Sequence, residues 1–318
     1  MERLGKYTLI GQSPRFLSAL DTIRKLAACD ATVLIQGETG TGKELAARTM
    51  HYLSVRSKFP FIPVNCGALP DGLLESELFG HEQGAFTDAR RSSEGLVRQA
   101  DGGTLFLDEV EALSPRAQVM LLRFLQDGEY RSVGGHSIRT ANVRAIAASN
   151  TSLAKMVENG AFRQDLLFRL DVLSVHLPPL RERAGDACLL AEAFAVRYAA
   201  HYGQEPRSFD ADSIAYLAEH RWPGNVRELE NLIHRHVAMT ETEVLHLRPA
   251  LPDHGPMPAN AVGNFREAKA SAVAQFERAY LADLLTKTQG NIAAAARMCG
   301  KERSALGKLA KKYQLSSP

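Results

Sequence analysis

The 318-residue chain is long enough for two or three domains, and with 45% hydrophobic and 23% charged residues it has the composition of a soluble globular protein. No apolar run nears the roughly 20 residues that span a bilayer, and MERLGKYTLIGQ lacks a signal-peptide core; membrane insertion and export are excluded, and a cytoplasmic protein is predicted. The net charge of +2 is uneven, because from Phe265 onward ten Lys/Arg face four Asp/Glu, a +6 tail on a body of −4 that suits nucleic acid.

Ser13-Pro14 reads as an N-cap and first helical residue, and Phe16, Leu17, Leu20, Ile23 and Leu26 carry that helix to about Cys29. The apolar run Val33-Leu34-Ile35 then predicts a strand, followed by a glycine loop and a helix to about Leu53. Phe61–Asn65 reads as a second strand, near a sheet edge because of Pro63. A short helix around Leu73–Phe79 leads into a polar excursion, Gly80–Arg91. Thr104–Asp108 is a buried-looking strand, Ser114-Pro115 caps a helix stopped at Gly128, and Tyr130–Ile138 reads as a hairpin. Strands over Val143–Ala148 and Val172–Leu177 complete an α/β pattern with a largely parallel sheet. Beyond Pro178-Pro179 strand signals stop, and Asp186–Met239 is expected to be helical throughout. The proline-rich Arg248–Asn264 reads as a linker. Cys29, Cys66, Cys188 and Cys299 lie far apart, without metal spacing, and are expected to be buried thiols.

The chemistry begins at Gly37-Glu38-Thr39-Gly40-Thr41-Gly42-Lys43-Glu44. Strand, GxxxxGK loop and helix together form a cradle in which backbone N–H groups and a helix N-terminus meet a phosphate chain, and Lys43 adds a point charge for the β- and γ-phosphates. Glu44 stands where Ser or Thr usually reaches Mg²⁺, so the metal must be held by water and a carboxylate elsewhere. Asp108 and Glu109, at the end of an apolar strand, supply that carboxylate: Asp108 for Mg²⁺ through its water shell, Glu109 to orient or deprotonate the attacking water.

Several stretches in order, LFGHEQGAFTDA at Leu78–Ala89, GGTLFLDE, GAFRQDLLFRL at Gly160–Leu170, PLRER at Pro179–Arg183 and WPGNVREL at Trp222–Leu229, resemble the sigma-54-dependent transcriptional activators, bacterial enhancer-binding proteins of the AAA+ class. The resemblance runs from about Ile10 to Leu247, and Glu after the P-loop lysine is also that family's form. It implies an AAA+ α/β ATPase subdomain over residues 1–178, a helical lid over 179–247, the linker 248–264, and a small all-α DNA-binding domain over 265–318. It further implies a ring, usually a hexamer, with ATP and Mg²⁺ between subunits. Asn65 becomes the partner toward which Glu109 swings, Asn150 the sensor near the γ-phosphate, Arg163 and Arg169 the arginine fingers that reach the neighbouring subunit, and Arg227 the lid sensor. Gly84-Ala85-Phe86-Thr87-Asp88-Ala89 matches the pore loop that touches sigma-54, with Asp88 in place of the family's second glycine. Only a short leader precedes Ile10, so the usual regulatory domain is expected to be absent and control to come from a separate trans-acting protein or from expression level.

In the tail, a long helix over Phe265–Lys287, a second over Asn291–Cys299, a turn at Gly300 and a third helix over Glu302–Tyr313 read as a helix-turn-helix. Arg303, Ser304, Gly307 and Lys308 are the expected major-groove positions, with Lys311 and Lys312 near phosphates, and the long first helix can pair with its twin in a dimer. The expected function is an ATP-hydrolysing activator that binds an upstream DNA site and remodels sigma-54 RNA polymerase. The alternative is a DNA-binding regulator whose AAA+ body only oligomerises, a reading supported by Asp88.

Overall fold

Five short runs, each closed by a polar residue, form one parallel sheet: β1 (Val33–Gln36), β2 (Phe61–Asn65), β3 (Thr104–Asp108), β4 (Arg144–Ser149) and β5 (Leu173–His176), in the order β2-β3-β4-β1-β5. The computed structural model describes residues 8–239 except Leu69, 86–88 and Arg90; Thr242; 244–247; and, toward the C-terminus, 277, 278, 280, 281, 284, 285, 288, 291–300 and 303–312. These fall in two compact units, 1–249 and 250–318.

Period-two alternation sends the strand side chains to opposite faces, and both faces are covered. Leu34, Leu105, Leu107 and Ala147 pack under α3 (Asp71–Phe79), α4 (Pro115–Asp127) and α5 (Gln164–Leu170). Val33, Ile35, Phe106 and Ile146 pack under α1 (Pro14–Ala27) and α2 (Lys43–Tyr52). Each fully buried Leu, Ile or Phe here contributes about 1.5–3 kcal/mol. Pro63 does place its strand at the edge, as β2 has a single neighbour. Ser114 caps α4 by accepting from Ala117 N, and Gly128 ends it at φ 71°.

Three local expectations are corrected. Ser13 precedes α1 but makes no side-chain cap; its hydroxyl donates instead to Asp186 Oδ2 at 3.0 Å, a partner 173 residues away. The lid, with helices α6 (Asp186–His201), α7 (Ala211–Glu219) and α8 (Asn225–Met239), is not helical throughout: Ser208–Phe209, between α6 and α7, pairs in parallel with Val244–Leu245, which follows α8. Of the four thiols only Cys66 is buried, and Cys29 is exposed.

In the second unit, Asn291 caps α9 (Ile292–Cys299) by accepting from Ala293 N and Ala294 N, both at 3.1 Å, and Gly300 ends it at φ 66°. Helix α10 (Arg303–Lys312) buries Leu306 and Ala310, with Leu306 joining Leu281, Leu284, Ala295 and Ala296 in one apolar cluster. Most of the long helix expected over Phe265–Lys287, the linker and Tyr313 lie outside the described residues.

Candidate active site

Parallel strands in register bring their carboxyl ends to one edge, the place where such sheets bind ligands. Asn65 sits opposite Asp108, and Gln36 opposite Ser149. The phosphate loop leaves β1 at this edge. Gly40 (φ 79°) and Gly42 (φ 97°) take left-handed conformations that open the loop, and Gly42 precedes the first turn of α2. Lys43 is buried and folds back so that Nζ donates to Gly37 O (2.8 Å) and Glu38 O (3.2 Å). Burial lowers its pKa, while Asp108, Glu111 and Glu109 pull it the other way. Asp108 is pushed up by burial and held back mainly by the Lys43 charge.

Glu109 is a non-glycine residue at φ 56°, ψ 47°, a conformation that costs about 1–2 kcal/mol and stands out in a hydrophobic strand end. Its Oε2 crowds Gly67, where an added Cβ would lie 2.6 Å away; the same Gly67 donates its N–H to Asn65 Oδ1 at 2.8 Å. Asn65 and Glu109 thus converge on one backbone position. Glu111, a residue that sequence reasoning passed over, accepts from Asn150 N at 3.1 Å, and its other oxygen is buried without a protein partner.

Lysine, phosphate loop, Asp108 and Glu109 line a cleft of about 600 Å³ with residues from the N-terminal segment and the lid. Arg227 lies on it, near enough to Lys43 to lower the lysine's pKa. Leu9, Ile10, Leu190, Phe194 and Val226 form an apolar part of the remaining wall, beside the charged Arg48, Arg183, Arg197 and Glu230. The sequence had given no base-reading residue, because this wall joins segments about 180 positions apart. Asp186 anchors it: buried, it accepts from Gln12 N (2.7 Å), Ser13 N (3.0 Å) and Arg183 Nε (2.8 Å), while Arg183 Nη2 donates to Ile10 O (2.7 Å). Burial raises the Asp186 carboxyl, yet the Gln12 amide and Arg183 hold it below its usual value. Asp186→Ala strands a buried guanidinium and is expected to lower stability by on the order of 3 kcal/mol in urea unfolding. Because the carboxyl is depressed, the wild-type contribution is present above about pH 3.8 and is lost as pH falls through the folded value; the difference between the two proteins should therefore shrink in acid.

The donor set fits ATP with a hydrated magnesium ion. Among the described residues no group of three or more His, Cys, Asp or Glu is placed to hold a metal by itself. A single strand-end carboxylate beside a phosphate cradle is the arrangement Mg²⁺ takes, since it keeps most of its waters.

Comparison with known proteins points the same way. Residues 9–176 match the family described as the sigma-54 interaction domain, 181–256 an AAA+ ATPase lid domain, and 272–313 a bacterial regulatory protein domain of the Fis family. The chain is 43% identical over 305 residues to the transcriptional regulatory protein FlbD of Caulobacter vibrioides, covering 92% of this chain and 67% of that one. The chain belongs to the sigma-54-dependent transcriptional activators. It is also 49% identical over 241 residues to the Nif-specific regulatory protein of Azotobacter vinelandii; that match covers 74% of this chain but 46% of that relative's length. The crystal structure of NtrX from Brucella abortus in complex with ATP superposes with a TM-score of 0.71 at 34% identity, covering 96% of this chain and 69% of that one. This activator is accordingly an ATP-binding AAA+ protein with a DNA-binding helix-turn-helix.

Not every expected site residue of the activator reaches the cleft. Arg163 forks Asp165 (Nε–Oδ1 3.0 Å, Nη2–Oδ2 2.7 Å), and Arg169 donates to Leu125 O (2.8 Å) and Gln126 O (3.2 Å) at the end of α4. Neither lines the cleft of its own chain. Phe86, Thr87 and Asp88, where sigma-54 contact is expected, lie outside the described residues. The base of that loop is closed by Gly84 N donating to Ala89 O at 2.9 Å. Glu82, just before it, accepts from Ser132 Oγ (2.9 Å) and Arg139 Nη2 (3.0 Å), tying the base to the ribbon formed by Glu129–Tyr130 and Arg139–Thr140. In α10, Arg303, Ser304, Lys308, Lys311 and Lys312 are exposed, opposite buried Leu306; Gly307 is half-buried. Among the described residues no helix is long and apolar enough to cross a membrane.

Proposed function

We propose that this chain is a cytoplasmic, ATP-hydrolysing activator that assembles into a ring, hexameric by family analogy, on upstream DNA and drives promoter opening by pressing the Gly84–Ala89 loop against sigma-54 RNA polymerase. The observation that carries the reading is the cleft in which Lys43, Asp108, Glu109 and lid Arg227 share one surface, in a chain that also holds a GAFTDA loop anchored at its base. Magnesium, when bound, would neutralise phosphate charge. Lys43 neutralises the β/γ-phosphate oxygens, Asp108 would hold the ion through its water shell, and Glu109 takes the proton of the attacking water, its side chain turning toward Asn65 when the nucleotide changes. Asn150 senses the γ-phosphate from the end of β4. Arg163 and Arg169, which do not line their own cleft, serve the neighbouring subunit's nucleotide, where a guanidinium stabilises the charge of the transferring phosphoryl group.

The deciding experiment is in vitro transcription from a sigma-54 promoter with this protein and ATP. Open-complex formation is expected; its absence in a protein that still hydrolyses ATP favours the second reading, a DNA-binding regulator with an oligomerising AAA+ body, for which Asp88 is the specific support. Restored sigma-54 pull-down by Asp88→Gly, with none by the wild type, would establish that second reading.

The DNA address is tested separately. Arg303→Ala is expected to relax sequence preference at one base position, costing about 1–3 kcal/mol, whereas Lys312→Ala weakens all sequences alike and reduces the salt slope by about one. Titrations against specific and scrambled duplexes at several salt concentrations read both effects.

A further inference from the structure

The lid does more than roof the cleft: it is bonded directly to the phosphate loop. Asn225 is fully buried at φ 52°, a left-handed conformation uncommon for a side-chain-bearing residue. Its Oδ1 accepts from Leu180 N at 2.8 Å, on the connector that enters the lid. Its Nδ2 donates to Thr39 O at 3.0 Å and to Glu38 Oε2 at 3.2 Å, both in the loop. Arg181, next to Leu180, forks the same Glu38 carboxylate with bonds of 2.7 and 2.6 Å. The N-terminus of α8 is aimed at the loop as well: Val226 N (3.0 Å) and Arg227 N (3.4 Å) both donate to Gly40 O, where the helix's partial positive charge meets a carbonyl. The backbones touch so closely that a Cβ on Gly40 would fall 2.3 Å from Gly224 O.

Nothing in the phosphate-binding role of the loop requires the Glu38 side chain, since the cradle is built from backbone N–H groups and Lys43. Nor does a lid need a buried asparagine in a strained conformation merely to close. A strained residue persists where surrounding bonds over-determine it, and here those bonds run to the loop, the connector and α8 together.

We propose that Glu38, Arg181 and Asn225 form a latch that fixes the lid to the phosphate loop and thereby sets how fast nucleotide leaves, acting as positioning residues for Arg227. The proposal rests on ATP occupying this cleft. When the loop conformation changes, Thr39 O and Gly40 O move, and the start of α8 moves with them because four hydrogen bonds connect the two. Arg227, third residue of α8 and on the cleft wall, is carried by that shift. Arg181 holds the Glu38 carboxyl down to about 2, so the pair is charged at neutral pH.

The test is release of a fluorescent ATP analogue from the full-length protein, chased with unlabelled ATP. Wild-type release sets the baseline, and Lys43→Ala serves as a separate control, where lost binding tests the cradle independently of the latch. Arg181→Ala and Glu38→Gln are each expected to speed release roughly 2- to 30-fold, the range in which contacts along a coupling network act. Because both variants act through the same Arg181–Glu38 ion pair, the double variant should release no faster than the faster single variant. Asn225→Asp keeps the acceptor for Leu180 N but sets a carboxylate against Glu38, and should release faster still. Asn225→Asp with Glu38→Gln restores a donor–acceptor pair with reversed polarity and should release more slowly than Asn225→Asp alone; a merely structural role for Asn225 would not produce that rescue. Wild-type release in the single variants, multiplying effects in the double variant, or no rescue in the reversed pair would each overturn the latch. Thermal unfolding of every variant separates altered release from lost folding.

Discussion

Glu109→Gln protein is expected to bind ATP as tightly as wild type and to hydrolyse it roughly 10²–10⁴-fold more slowly, the range a positioned general base contributes. The substitution keeps the volume and the left-handed backbone at residue 109, so the cradle of Lys43 and the glycine loop stays intact. What it removes is the carboxylate proposed to accept the proton of the attacking water. Glutamine still accepts a hydrogen bond, so the water is held while its proton has nowhere to go. Filter binding of labelled ATP and single-turnover phosphate release distinguish the two effects. Turnover at the wild-type rate would take the base role from Glu109, and its neighbour Glu111, with one buried oxygen lacking a protein partner, is the group to which it would pass.

The second large effect is shared between chains. Arg169→Ala alone is expected to lose about 10³–10⁵ in kcat, the worth of an arginine finger delivered to a phosphoryl group. Within one chain Arg169 is held on the Leu125 and Gln126 carbonyls, away from the cleft, so its loss leaves nucleotide affinity unchanged. The Lys43→Ala chain is expected to be inactive for the complementary reason, since it keeps the proposed fingers and loses the lysine of the cradle. Mixing the two inactive proteins is therefore expected to restore part of the hydrolysis, at seams where an intact cradle meets an intact finger. No recovery at any mixing ratio would place the arginine's role inside its own subunit.

Much of this architecture was legible because its determinants are local. A β-branched run, a GxxxxGK loop and a helix former follow within twelve positions, and Asp108-Glu109 ends an unbroken apolar strand. The less legible parts depend on pairs distant in sequence. Ser13 has the composition of a helix cap, yet Asp186 competes for its hydroxyl from the lid. Ser208–Phe209 and Val244–Leu245 are too short for a periodic signal and become strands only by meeting each other. Leu190 and Phe194 look like ordinary helix core, and only the approach of Leu9 and Ile10 turns them into a cleft wall. The WPGNVREL stretch was recognisable as a motif, but not that its asparagine reaches the phosphate loop, since that contact spans 186 residues.

Pro63 has an effect on assembly that follows from its direction. Cys66 N donates across the sheet to Asp108 O at 2.9 Å, so two-residue alternation turns the amides of Val64 and Ile62 inward as well and leaves the Pro63 nitrogen on the open side. That outer border lacks a proton donor at its midpoint, and a foreign strand cannot zip along it. Two copies of this chain are thereby kept from extending one sheet into the next across β2, and any contact between them has to form elsewhere.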